Sequence, residues 1–305
     1  HTSTPFAEDV LITSRDELPP GSGRWLWFIL PVNSPGVRVV ARRTAARHHN
    51  SFLSPLSSRF DELDASLWMK EVFIPRERVF TGERLERTNR HSMVSWLLWH
   101  HNCGWLAKAE FTLGLALALT EVMGLKESPG TIQQLVDLAV DVQTSRTCIR
   151  AAELDSEMTV GGYAVPNQLH LSAAAVNVFK SRQRMSEILR GLPGSSLIVA
   201  PSDTDFADPT MAAELEDAYG GGGYTALQRA AVLQLGWDHV ASELDARESV
   251  FELHASGGLN AWRAQLRAWF PSYDELANGV QQLLDVELPL MDMSNLKNAS
   301  YERPR

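Results

Sequence analysis

The chain has 305 residues, 44% hydrophobic and 21% charged, with a formal net charge of −9 and two cysteines. That composition belongs to a globular chain with a sizeable core, one large domain or two ordinary ones, and not to a disordered or fibrous one. The acidic balance disfavours nucleic acid, because the basic cluster Arg38, Arg42, Arg43, Arg47, His48 and His49 lacks the aromatic interleaving that base stacking uses. The longest apolar run, Phe111 to Leu119, lies between Glu110 and Glu121 and is too short for a bilayer. Cys103 and Cys148 fall inside helical patterns and suggest reduced thiols in a cytoplasmic setting, neither a disulfide framework nor a paired zinc site. No signal-peptide pattern is visible, and a start at His1 instead of Met leads us to expect that the natural chain begins earlier.

The first eighty or so residues carry strand signals. Asp9 to Ser14, Arg24 to Val32 and Val37 to Arg43 are rich in Val, Ile, Leu and Trp, separated by the turn-forming stretches "DELPPGSG" and "NSPG". In "ASLWMKEVFIP" two interleaved sets, Leu67, Met69, Glu71, Phe73 and Trp68, Lys70, Val72, Ile74, predict a strand that runs to Pro75. From about Leu85 the period changes to three and four. The stretch from Ser92 to Gly124, apolar on every side around Phe111 to Leu119, predicts a central bundle helix. Gly124 stops it, and Ser128 or Thr131 caps the next, whose stripe is Ile132, Leu135, Val136, Ala139 and Val142. A third helix runs from Asn167 to Gly191 and Pro193, and a fourth from Tyr224 to Ala255. Four long antiparallel helices make a bundle.

A β domain feeding such a bundle resembles the acyl-CoA dehydrogenase superfamily. Within it, "PLSSRFDELDA" with "VFIPRERVF", the helix "AKAEFTLGLALALTEVMG" and the loop "GLPGSSLIVAPSDTDF" resemble the 4-hydroxyphenylacetate 3-monooxygenase family, in the family's order, from Thr2 to about Phe270. The fold expected is therefore α+β: a partial β-barrel or sheet domain over 1–80, expected to be incomplete, an acyl-CoA dehydrogenase-like four-helix bundle over 81–290, and a tail over 291–305. Family members carry a helical domain ahead of the β domain, and the resemblance puts their catalytic residues there. No catalytic residue is carried over, and the chain is expected to be a C-terminal fragment or a separately encoded half.

The resemblance implies the oxygenase component of a two-component aromatic hydroxylase. Reduced FAD would arrive from a separate flavin reductase, react with O2 to a C4a-hydroperoxyflavin, and place one oxygen ortho to the hydroxyl of a 4-hydroxyphenylacetate-like phenol. It also implies a homotetramer. Ser3 aligns best with the family's flavin-contacting threonine, flanked by Thr2 and Thr4; a polar turn is the plain alternative. Ser14 and Arg15 fall where the family contacts the phenol, and ordinary strand-end residues account for them equally well. Ala246, Arg247, Glu248 and Ser249 occupy the family's "G-S-R-Q" position at the distal half of FAD. Arg247 can pair with pyrophosphate, while Asp245 and Glu248 add opposing charge. The loop Asp16 to Gly23 resembles loops that close over substrate. Arg59, Asp61, Glu62 and Asp64 are expected to be fold-holding ion pairs.

Two alternatives stand beside this one. A 4-hydroxybutyryl-CoA dehydratase-like flavoprotein carries a cluster-ligating histidine seven residues before a cysteine, where this chain has Trp96 before Cys103. A non-catalytic, oligomerising remnant is the other. The neighbours His100 and His101 point about a hundred degrees apart on a helix and cannot chelate one ion, so they are expected in the core with satisfied nitrogens. "GGGG" at Gly220 to Gly223 lacks the Lys and Ser/Thr of a phosphate loop and reads as a connector. Trp262, Trp269 and Phe270 have core or interface spacing.

Overall fold

The computed structural model describes residues 3–14, 22, 26–45, 50–80, 87–159, 161–254, 258–270 and 273–284. Thr2, Arg15, most of the loop from Asp16 to Gly23, Arg47, His48, His49 and the side chain of Trp269 lie outside the described residues. The alternating residues near the start form antiparallel pairs. β1 (Asp9–Thr13) pairs with β2 (Trp27–Pro31), Leu11 opposite Ile29, and the inward residues Phe28 and Leu30 of β2 are buried. β3 (Val37–Ala41) pairs with β4 (Ala65–Met69), Val39 opposite Leu67. Among the described residues these pairs do not close into a barrel.

The predicted strand to Pro75 stops six residues earlier, at Met69. Gly36, at φ 85°, lets the chain turn so closely that a Cβ there would lie 2.2 Å from the Lys70 carbonyl oxygen. The Lys70 N–H donates to the Gly36 oxygen, Glu71 then takes a φ of 53°, and the chain leaves β3. It rejoins the other pair, where the Phe80 N–H donates to the Trp27 oxygen at 2.7 Å and Val79 bridges Phe28. A left-handed residue ends the ladder, and the proline comes later.

The helical part begins after a short turn helix, α1 (Ser57–Phe60), in the strand passage. α2 (Arg87–Val122), α3 (Pro129–Leu154) and α4 (Gln168–Gly191) are the long elements. A small hairpin of β5 (Glu157–Met158) and β6 (Ala164–Val165) lies between α3 and α4. There follow α5 (Asp203–Ala207), α6 (Pro209–Tyr219), α7 (Ala226–Val240), α8 (Glu243–His254), α9 (Gly258–Trp269) and α10 (Tyr273–Leu284). Leu115 and Leu119 of α2, Leu138 of α3, Leu189 of α4 and Leu233 of α7 meet in one core. A second cluster packs Leu98 and Trp105 against Phe179 and seats Trp262 of α9 on α4. Ser128 stands at the start of α3 with Pro129 behind it, and Gly221 to Gly223, all at positive φ, connect α6 to α7. No helix among the described residues is long and apolar enough to cross a membrane.

Three expectations need correcting. α2 is not covered all round, since Phe111 and Leu117 are 40% and 49% exposed. On α3 Leu135 and Val142 of the predicted stripe do pack inward, with Leu138, Ser145, Ile149 and Ala152, whereas Ile132, Val136 and Ala139 point outward. Two apolar rows exist on that helix, and the one that packs is the one that meets α4. The fourth helix is two helices. Ala241 leaves the helical region, and the Ser242 hydroxyl accepts the N–H groups of Leu244 and Asp245, which starts α8.

Candidate functional site

The first predicted site segment is a 3-10 turn over Thr4–Phe6, preceded by Ser3 at φ 57°. A side chain in that region is strained, and the surroundings hold it there. The Ser3 N–H donates to the Leu63 oxygen at 2.9 Å. Thr4 is 1% exposed, and its Oγ1 has no hydrogen-bond partner. Ser14 closes the β1–β2 pair, donating its N–H to the Leu26 oxygen while its Oγ accepts the Leu26 N–H at 2.9 Å.

Leu63 belongs to a charged passage that Arg42 organises. The Arg42 guanidinium donates to Asp61 at 2.5 Å and to Asp64 at 3.1 Å, and also to the Glu62 carbonyl oxygen. Bonding to Asp61 raises the Arg42 pKa above its ordinary value, against the pull of burial. Burial works to raise the Asp61 carboxyl, but the bonds from Arg42 and the Ala45 N–H outweigh it and the net shift is downward. Asp61 and Asp64 are thus paired within the passage, as expected of fold-holding charges.

On the bundle side, α8 divides the second predicted segment between two faces. Ala246 and Arg247 line an open cavity of about 630 Å3 with Asp64, Glu243, Phe251 and His254. Arg247 Nη2 donates to Glu243 at 2.9 Å, one helical turn away. Glu248 and Ser249 turn instead into the bundle. Glu248 pairs with Lys108, Glu252 pairs with both Lys108 and Arg182, and Arg182 Nη2 donates to Ser249 Oγ at 2.9 Å. The two segments nevertheless converge: Ser3 binds Leu63, and the next residue, Asp64, shares a cavity with Arg247.

Lys108, Thr112 and Asp238 in this region were not singled out from the sequence, whereas the sequence leads us to expect His239 as a core histidine. A second cavity, of about 560 Å3, has Leu56, Phe60 and Phe111 on its apolar walls and Lys108, Asp238 and His239 among its polar lining. Burial lowers the Lys108 pKa and Glu248 works against it. His239 is held down to about 3, first by burial and then by the charges of Lys108 and Arg182, so it is a neutral imidazole. The Thr112 hydroxyl donates to the Lys108 carbonyl, which leaves its oxygen to accept the His239 Nε2–H at 2.8 Å. Asp238 is 1% exposed; its carboxylate accepts the N–H groups of Leu56 and Ser57 and the Ser57 hydroxyl. Acids and bases inside the apolar period of "VLQLGWDHV" were the available signal.

The paired histidines separate as their helical phase requires, but only His101 is half-buried, its pKa lowered by burial and by His100. His100 is exposed, contrary to a core position. His170 bonds Asp155 at 2.8 Å. Among the described residues no group of three or more His, Cys, Asp or Glu side chains could hold a metal ion, and both cysteines are free thiols.

The family model described as the N-terminal part of 4-hydroxyphenylacetate 3-hydroxylase matches residues 1–81, and that of its C-terminal part matches residues 88–285. The chain belongs to the 4-hydroxyphenylacetate 3-hydroxylase family. A similar relative is the 4-hydroxyphenylacetate 3-monooxygenase oxygenase component of Thermus thermophilus, 31% identical over 81% of this chain and 52% of that protein. Another is a Rhodococcus opacus 4-nitrophenol 4-monooxygenase/4-nitrocatechol 2-monooxygenase oxygenase component, 27% identical over 82% of this chain and 48% of that protein. The chain spans about half the length of the curated relatives it matches. Among solved structures, the HpaB oxygenase component complexed with FAD and 4-hydroxyphenylacetate superposes at a TM-score of 0.83 and 25% identity, over 93% of this chain and 60% of that one. A 4-hydroxybutyryl-CoA dehydratase from N. maritimus, at a TM-score of 0.73 and 16% identity over 92% of this chain and 55% of that one, shares the fold. A glutaryl-coenzyme A dehydrogenase shares it at a TM-score of 0.55 and 11% identity, over 90% of this chain and 56% of that one, so the fold is acyl-CoA dehydrogenase-like, as expected.

Proposed function

We propose that this chain forms part of the oxygenase component of a two-component aromatic hydroxylase that uses reduced FAD and O2 to hydroxylate a 4-hydroxyphenylacetate-like phenol ortho to its hydroxyl. The observation that carries the proposal is the convergence of the Ser3–Thr4 turn and the Arg247 helix on residues 61–64. The family relatives support it. Two features fit FAD: the buried Thr4 hydroxyl lacks a partner, and Arg247 offers a planar donor on a cavity edge. Ser3, Thr4 and Thr2 would hold the ring end of the cofactor, and Arg247 with Ala246 the distal end; Glu248 and Ser249, engaged in the bundle, hold α8 in place instead. When bound and reduced, FAD supplies the electrons that activate O2.

The remaining work falls to the chain's own groups. The Ser14 oxygen already accepts the Leu26 N–H, so its proton is available to a phenol oxygen, with Arg15 beside it in sequence. Leu56, Phe60 and Phe111 give the second cavity an apolar wall against which a phenol ring would pack. Glu243 pairs with Arg247 until a phosphate displaces it. In this reading the chain divides near residue 80 into β and helical parts, with a tail from 291. It works in the cytoplasm as a homotetramer supplied by a flavin reductase.

The test is to add photoreduced FAD and a panel of phenols to the chain under air, measuring catechol and H2O2. Catechol formation is expected. Flavin uptake yielding H2O2 with no catechol removes the hydroxylase activity from this chain, and no flavin uptake removes the reading altogether.

A further inference from the structure

Asp238 lies on α7 with its carboxylate sealed from solvent, an arrangement that needs compensation by donors. It receives three: the Leu56 and Ser57 N–H groups, each at 2.8 Å, and the Ser57 hydroxyl. These are the unpaired donors at the start of α1, so an acid from the bundle caps a helix of the strand passage. A second tie sits just upstream, where Asn50 Nδ2 donates to both oxygens of Asp203 at 3.0 Å and Phe52 meets Phe206 edge-on. Downstream of the cap, the chain runs through Phe60 on the cavity wall to Asp61 and Asp64, held by Arg42, and to Leu63, which holds Ser3. On its own side, the Asp238 carbonyl accepts the hydroxyl of Ser242 at 2.7 Å, the residue that starts the helix bearing Arg247.

We propose that Asp238 is a positioning residue: its carboxylate fixes the strand passage, and through it the Ser3–Thr4 turn, while its carbonyl fixes the start of α8, so that one residue sets the gap between the two ends of the FAD site. This rests on the function proposed above. Exchanging the carboxylate for an amide removes the charge and turns one of its two acceptor oxygens into a donor, so the two backbone N–H groups and the Ser57 hydroxyl no longer face two acceptors, and the passage loosens while the apolar core of the bundle stays packed.

The experiment compares the full chain with Asp238→Asn by amide hydrogen exchange and by FAD titration, with Leu138→Ala as the control for general destabilisation. Loss of a charge-assisted cap is expected to weaken FAD binding about tenfold. It should speed exchange in residues 54–64 and in the Ser3–Phe6 turn while leaving α3 and α4 unchanged. Leu138→Ala lowers the melting temperature with FAD affinity intact. Should Asp238→Asn fail to fold, Ser57→Ala removes one of the three donors and gives the same exchange pattern at smaller amplitude. Unaltered exchange at 54–64, or acceleration spread evenly over the bundle, overturns the assignment. A wild-type chain that takes up no FAD overturns the functional reading instead, and the exchange pattern then decides the role of Asp238 alone.

Discussion

The bundle has two interiors that are held in different ways. Around Leu119, Leu138, Leu189 and Leu233 it is closed by apolar burial, which is strong and indifferent to direction. Around Lys108, Arg182, Glu248 and Glu252 it is closed by charges, which are directional and costly to leave unpaired. The first region explains why a helical body exists; the second fixes how α8 is turned and which of its residues reach the strand passage. Stability and geometry therefore rest on separate side chains, and they can be perturbed separately.

The largest expected effect tests the apolar interior. Leu119→Ala, at a fully buried position, should cost about 3–5 kcal/mol in urea unfolding and leave FAD uptake unaltered. In the charged interior, Glu252→Ala takes the paired carboxylate from Arg182 and one of two from Lys108, leaving Lys108 with Glu248 and Arg182 with the Ser249 hydroxyl, and should cost about 3 kcal/mol. Unlike the leucine variant, it should also weaken FAD binding, because α8 loses one of its anchors. If both variants change stability and affinity in the same proportion, the two interiors are not distinct.

Acid gives a third handle. His239 binds its proton far less readily folded than unfolded, so the unfolded chain gains protons first as pH falls through 6.5. Stability should be fully present above that value and decline by up to about 1.4 kcal/mol per pH unit toward pH 3. His239→Gln should flatten that slope between pH 6 and 4, measured by urea midpoints. The smallest effect concerns Arg247→Lys. Its partner Glu243 is one turn away and half exposed, so stability should move by less than about 0.5 kcal/mol. FAD affinity should drop several-fold, which isothermal titration would show.

Much of the helical frame was legible in the residues. Gly124 and the glycine run mark real ends and connectors because they take up positive φ, and Ser128 stands at the start of α3, though its side chain makes no capping bond. What failed depends on neighbours distant in sequence. Periodicity finds apolar rows on α3, but it cannot say that Leu138 and Ile149 are buried while Ile132 and Val136 are not. The break before α8 carried a usable mark, Ser242 three residues ahead of Asp245, hidden by the absence of Gly or Pro. For the candidate site, the family likeness led to Ser3 and Arg247. The partners that bring them onto one segment, Asp238, Arg42 and Lys108, come from other parts of the chain and show themselves only once it is folded.

The joint at Ala241 and Ser242 makes α8 a dial that can be turned by changing its length. One residue inserted after Leu244 keeps the cap but rotates everything beyond it by about 100°. Arg247 then swings off its cavity at the same click that takes Glu252 from Lys108. Four inserted residues bring the helix almost back to its original bearing, one turn further along, and such a ladder of insertions reads out which bearing the cofactor needs.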